Sequence, residues 1–222
     1  MTGHTVCGVD EAGRGPVIGP LVLGCVVVDC DGRDRLTELK VRDSKKLTPE
    51  RRTYLEPLIK EAVLEWKVLH VHPAEIDRLR DKISLNVIEA YRTAEMLISL
   101  SKRPSKVLVD APDVVEENYA EKLIASLRML NPDYPIPEII SEHHADDTYI
   151  EVSAASVLAK VERDRAVEAL KVGYGDFGSG YPSDELTQKF IKEAVRSGDI
   201  PDFVRRSWST LDKSKQTTIT EF

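Results

Sequence analysis

The sequence predicts an α/β fold: a mixed sheet flanked by helices, followed by a helical C-terminal lobe. Three observations carry that prediction. Val6 to Val28 (VCGVDEAGRGPVIGPLVLGCVVV) places two Val-rich apolar runs on either side of a Gly- and Pro-rich turn, the pattern of two hairpin strands. Lys106 to Asp110 (KVLVD) repeats the opening pattern, an apolar run that ends in a carboxylate. Between and beyond these runs, apolar residues recur at helical spacing.

Thr5–Val9 and Leu21–Val28 are apolar along nearly their whole length, as expected of strands covered on both faces in mid-sheet. The turn between them carries Asp10, Glu11, Gly13, Arg14, Gly15 and Gly19. Two carboxylates at the end of a buried strand raise each other's pKa, and a divalent cation is the usual remedy. The glycines leave room for a ligand to approach the backbone. Alone, the stretch reads equally well as a Gly-rich turn with two solvated acids.

A polar connector follows, running to Thr48-Pro49-Glu50, which has the marks of a helix start: a capping Thr, Pro at the first helical position and an acid in the first turn. Just upstream, Arg42, Ser44, Lys45 and Lys46 crowd a loop suited either to solubility or to phosphate contacts. Glu65–Val71 alternates as a strand, Pro73 opens a short helix, and Ser84 caps a longer one. His70 and His72 share a strand face without a third ligand nearby. If Lys106–Val109 lies parallel to the first strand, Asp10 and Asp110 meet at the C-terminal ends, where open α/β sheets place their sites. Asp113 or a neighbour then starts a helix through Leu127, and Glu138–Ser141 is the fifth strand.

His143-His144 beside Asp146-Asp147 lacks the Cys or third His of a zinc site. The next helix opens on Ser153, Ala154, Ala155 and Ser156, small enough for close packing on a sheet, and then supplies Lys160, Arg163 and Arg165. From Gly173 a Gly-rich loop holds Tyr174, Phe177 and Tyr181, each readable as a packing anchor or a stacking platform. Ser183 or Asp184 caps a helix to about Arg196. The chain from Asp212 is polar and expected to be mobile.

At 222 residues the chain can bury one sizeable core. Its net charge of −7 argues against nucleic-acid binding by bulk electrostatics, though a local basic stripe with bound cations still permits it. No apolar run reaches the ~20 residues of a membrane span, so a cytoplasmic protein without membrane partners is expected. Cys7, Cys25 and Cys30 lack CxxC spacing and read as buried thiols.

Taken together, GVDEAGRGPVIGPLV, VRDSKKLTPERR, VLVDA, HHADD, SAASVLAKVERDRA, YGDFGSGYPSD and VRRSW resemble ribonuclease HII in its archaeal form, over nearly the whole chain. The resemblance implies an RNase H-like five-stranded mixed sheet in a catalytic domain at 1–172, a substrate-binding helical lobe at 173–211 and a tail at 212–222, in a monomer. It implies endonucleolytic cleavage of the RNA strand of RNA–DNA hybrids and of single ribonucleotides embedded in duplex DNA, leaving 5′-phosphate and 3′-hydroxyl ends. The four metal-binding acids implied are Asp10, Glu11, Asp110 and Asp146, with Asp147 competing for the fourth place. Two hard cations held by carboxylates can activate water and stabilise both attacking and leaving oxygens, and carboxylate donors suit Mg²⁺ or Mn²⁺. Gly13, Arg14 and Gly15 are implied to read the 2′-OH and Tyr181 the following sugar, with Lys45 and Lys46 on phosphates. Gln216, Ile219 and Phe222 in QTTITEF resemble the peptide that binds sliding clamps. The rival readings are another RNase H-like nuclease (ribonuclease HIII or a junction resolvase) and a non-catalytic nucleic-acid-binding module.

Overall fold

Five strands, β1 (Val6–Ala12), β2 (Leu21–Val28), β3 (Glu65–Val71), β4 (Lys106–Asp110) and β5 (Glu138–Glu142), form one sheet in the order β3-β2-β1-β4-β5. The computed structural model describes residues 4–41, 47–209 and 211. β1 and β2 pair antiparallel from Val6↔Val28 to Ala12↔Val22, whereas β1–β4 and β4–β5 are parallel. The mixed sheet follows from connection length, since a short turn can join only antiparallel neighbours and parallel ones need a crossover.

Helices cover both faces. Cys7, Val9, Cys25 and Val27 pack against Ala90, Ala94 and Leu97 of α4 (Leu85–Ile98) and against Leu123 and Leu127 of α5 (Glu116–Leu130). Val26 and Val28 turn the other way. They meet Leu36 of α1 (Cys30–Glu38), Leu55 and Ile59 of α2 (Pro49–Ala62), and Ala154, Val157 and Leu158 of α7 (Ile150–Tyr174). The two-residue period of a strand sorts these side chains, and each fully buried Val or Leu contributes about 1.5–3 kcal/mol.

At two points α7 lies so close to the sheet that only glycine fits beneath it. A Cβ at Gly8 would sit 2.2 Å from the Glu151 carbonyl carbon, and one at Gly24 would sit 2.6 Å from the Ala155 oxygen. The small residues opening this helix are therefore matched by small residues on the strands.

By contact the chain divides into two compact units. One consists of the residues up to Ala12, Val22–Leu69 and Leu85–Glu162, and it contains the cores just described. The other consists of Gly13–Leu21, His70–Ser84 and the residues from Arg163 onward. It includes α3 (Pro73–Arg80) and α8 (Glu185–Ser197) and has its own core of Val17, Ile18, Val167, Phe177, Ile191, Val204 and Leu211. Its Gly-rich loop is tied down at Asp184, whose carboxylate accepts the N–H and O–H of Ser179 and caps α8 through Leu186 and Thr187. Those donors, Ser179 first, bring its pKa down to about 2.

Three local expectations shift. β1 continues through Asp10 and Glu11 to Ala12, so the acids stand on the strand and not in the turn. The connector after β2 holds α1, capped by Asp29, which accepts from Gly32 N–H at 2.8 Å. α5 starts at Glu116 because the Asp113 carboxylate accepts instead from Asn86 at 2.5 Å and pairs with Lys122 at 3.0 Å. Cys7 and Cys25 are buried and Cys30 is exposed, all three as free thiols. No described helix is long and apolar enough to cross a membrane.

Candidate active site

Asp10 lies on β1 on the same side as Gly8, the side that faces α7. It is only 6% exposed. Burial raises its pKa well above the ordinary carboxylate value, and the charges of Glu11 and then Asp110 raise it further. A side-chain hydrogen bond from Ser156 and the charge of Lys160, both on α7, oppose the shift. Ser156 and Lys160 are one helical turn apart, so the close approach of α7 delivers both to the acid. Glu11, the next residue along the strand, is half-buried, and its own N–H donates to Asp10 Oδ1 at 2.7 Å.

The parallel register of β1 and β4 ends at Val9↔Val109, and one residue further each strand carries an Asp. Asp110 is half-buried, and its Oδ1 accepts the N–H of Ala145 at 2.8 Å. Ala145 begins α6 (Ala145–Thr148), entered through His144 in the left-handed conformation at φ 57°. α6 carries both remaining candidates. Successive helical residues point about 100° apart, and here Asp146 is buried at 1% exposure while Asp147 is exposed.

The donor set is all carboxylate oxygen, which matches a hard divalent cation, and the raised pKa of Asp10 records a local excess of negative charge. Among the described residues, however, no three His, Cys, Asp or Glu side chains are already gathered closely enough to hold a metal ion. His143 is occupied elsewhere, with its ring nitrogens 3.3 Å from the carbonyls of Ala111 and Val114.

In the second unit, Gly13 has φ 85°, and a Cβ there would meet the Arg163 side chain at 2.9 Å. Gly15 is exposed and lies against the Tyr181 ring, 3.6 Å from where its own Cβ would be. Tyr181 is 41% exposed and has the guanidinium of Arg163 5.2 Å from its ring centre. Arg163 itself is nearly buried and donates to Ser179 O at 3.0 Å. Gly13, Arg14, Gly15 and Tyr181 thus fall in one unit, and Asp10, Glu11, Asp110 and Asp146 in the other. Lys45, Lys46, Gln216, Ile219 and Phe222 lie outside the described residues.

Sequence reasoning read Ser156 only as a packing residue and did not single out Arg163 from its basic neighbours. The signal for both was spacing: SAASVLAKVER puts Ser156, Lys160 and Arg163 at i, i+4 and i+7, on one stripe of a helix.

Comparison with known proteins identifies the family. The sequence model of ribonuclease HII matches residues 7–211. Ribonuclease HII of Thermococcus onnurineus is 46% identical over 212 residues, covering 95% of this chain and 90% of that protein. Among solved structures, ribonuclease H2 from Pyrococcus horikoshii superposes with a TM-score of 0.87 at 44% identity, covering 96% of this chain and 98% of that one. The RNase HII of a PCNA:RNase HII complex from Archaeoglobus fulgidus does so with a TM-score of 0.84 at 40% identity, covering 98% and 100%. The chain belongs to the ribonuclease HII family, the metal-dependent type 2 ribonucleases H that cut the RNA strand of RNA–DNA hybrids.

Proposed function

We propose that this ribonuclease also cleaves at single ribonucleotides embedded in duplex DNA, by two-metal hydrolysis that leaves 5′-phosphate and 3′-hydroxyl ends. The observation that carries the site assignment is the buried Asp10 carboxyl, its pKa raised by burial and by neighbouring acids. Asp10, Glu11, Asp110 and Asp146 are the ligands. Burial of Asp146 and exposure of Asp147 support the choice between those two. When bound, Mg²⁺ or Mn²⁺ supplies an activated water and charge stabilisation for the attacking and leaving oxygens. The protein's part is to hold the carboxylates ionised and oriented. Ser156 fixes the Asp10 rotamer, Lys160 offsets part of its charge, and Asp110 caps the short helix that carries Asp146. None of the acids then has to serve as the proton base.

Discrimination between ribose and deoxyribose has to use the 2′-OH. We assign it to the backbone of Gly13–Arg14–Gly15 together with the Tyr181 ring, the substrate-reading part of the C-terminal lobe (173–211). Lys45 and Lys46 are the phosphate contacts in this reading, and Gln216, Ile219 and Phe222 of the 212–222 tail a sliding-clamp peptide. The PCNA complex of the Archaeoglobus relative supports the clamp assignment. One assay tests the main reading. A duplex with one ribonucleotide is incubated with Mg²⁺ or Mn²⁺ beside an all-DNA control. A single cut at the ribonucleotide is expected, and equal cutting of the control removes the proposal.

A further inference from the structure

Arg205 has no exposed surface, although it carries a permanent charge. Its guanidinium is spent on the backbone of one loop: Nε donates to Gly19 O at 3.0 Å, Nη1 to Arg14 O at 3.1 Å and Nη2 to Gly13 O at 2.6 Å. Its own N–H donates to Val17 O at 2.8 Å. Trp208 completes the arrangement. Its ring lies 4.7 Å from the Arg205 guanidinium carbon, and its Nε1 donates to Gly15 O at 3.2 Å. Three carbonyls, those of Gly13, Arg14 and Gly19, thus converge on one guanidinium, and that of Gly15 is held by Trp208.

Peptide planarity converts that into a statement about donors. No peptide bond among the described residues is cis. In a trans peptide the C=O and the N–H of the next residue point in opposite directions. Pulling Gly13 O and Arg14 O toward Arg205 turns the N–H groups of Arg14 and Gly15 away from it. The other two carbonyls precede Pro16 and Pro20, which have no N–H to present. The two adjacent amides of Arg14 and Gly15 thus have a fixed direction, beside the exposed Gly15 and the Tyr181 ring. A pair of such donors suits a ribose hydroxyl or a phosphate oxygen.

We infer that Arg205, assisted by Trp208, is a positioning residue for ribose recognition, holding the Gly13–Gly19 loop with the Arg14 and Gly15 amides turned toward the substrate. The inference rests on the reading above that this loop reads the sugar. Lysine cannot reproduce a three-carbonyl fork, so Arg205→Lys should raise KM for a duplex with a single ribonucleotide by at least tenfold, with kcat per folded molecule within about threefold. Because a buried Arg variant can fail to fold, Trp208→Phe is the second arm. It keeps an aromatic ring and removes one donor, and should raise KM about three- to tenfold while the melting temperature stays close to wild type. Gly15→Ala separates the two readings, since its added methyl makes only ordinary contact with Tyr181 inside the protein but stands on exposed surface where a sugar reaching the Gly15 amide would meet it. If Gly15→Ala leaves KM for this duplex unchanged, the loop does not read the sugar and both readings fall. If Gly15→Ala raises KM but Trp208→Phe and folded Arg205→Lys do not, only the positioning role is overturned.

Discussion

The Asp110 carboxylate accepts the Ala145 N–H at 2.8 Å, so one candidate acid anchors the helix that presents another. α6 has no side-chain cap of its own, because His144 occupies the capping position in a left-handed conformation. A negative group at a helix N-terminus is favourable on both hydrogen-bond and dipole grounds. Asp110 therefore has a structural partner as well as a proposed metal.

That double role makes Asp110→Asn informative. Asn keeps an oxygen that can accept from Ala145, so the melting temperature should stay within a few degrees of wild type. Cleavage should fall by at least about a hundredfold through loss of one ligand charge. A variant that cleaves at the wild-type rate would remove Asp110 from the site. Asp146→Asn should behave the same way, whereas Asp147→Asn, at an exposed position, should retain most activity.

The raised pKa of Asp10 has a sign that can be checked in metal-free protein. A folded pKa above the unfolded value means the folded state binds the proton more tightly, so this group's contribution is fully present below about pH 3.9, the ordinary Asp value. It is lost as pH rises through the elevated folded value. Asp10→Asn should therefore raise the melting temperature in EDTA at pH 7.5, by about 2–4 °C for each 1 kcal/mol relieved. The gain should vanish near pH 4. Added Mg²⁺ should stabilise the wild type more than the variant, and scanning calorimetry reads all three comparisons.

The close approach of α7 predicts opposite outcomes at two glycines. Gly24→Ala drives a methyl to 2.6 Å from the Ala155 oxygen, a backbone atom that cannot step aside. It should lower the melting temperature strongly, by about 1–3 kcal/mol or more of overpacking. Gly173 lies in the same helix with nothing within 4 Å of an added Cβ. Gly173→Ala should be neutral or stabilise by about 0.4–1 kcal/mol.

Tyr181→Ala should weaken cleavage of an embedded ribonucleotide about tenfold or more, in line with ~1–3 kcal/mol for a stacking ring. The half-exposed ring contributes little to the core of its unit, so the melting temperature should move by only a few degrees. Parallel losses of stability and activity would identify Tyr181 as a packing anchor instead.

Deleting residues 216–222 should leave cleavage of short oligonucleotides intact and abolish binding to a sliding clamp in a calorimetric titration. Clamp affinity that survives the deletion would discard the tail motif.

The sequence by itself determined the strands, the acids at their ends and most helix starts, because these depend on neighbours a few residues away. Val-rich runs, the Thr48-Pro49 start and the helix start at Ser183-Asp184 are local physics, and the structure has each of them in place, with Asp184 as the cap. The parallel repeat of VCGVD and KVLVD also foretold that Asp10 and Asp110 would approach each other. Only the tertiary structure decided which of Asp146 and Asp147 is buried, since a one-residue step on a helix is a rotation that periodicity in a four-residue element cannot fix. It alone brought Ser156 and Lys160 to Asp10, through glycines on two different strands. And it alone joined Arg205 to carbonyls 186 to 192 residues away. Such contacts are set by how layers pack, and in the one-dimensional chain a buried guanidinium looks like any other surface charge.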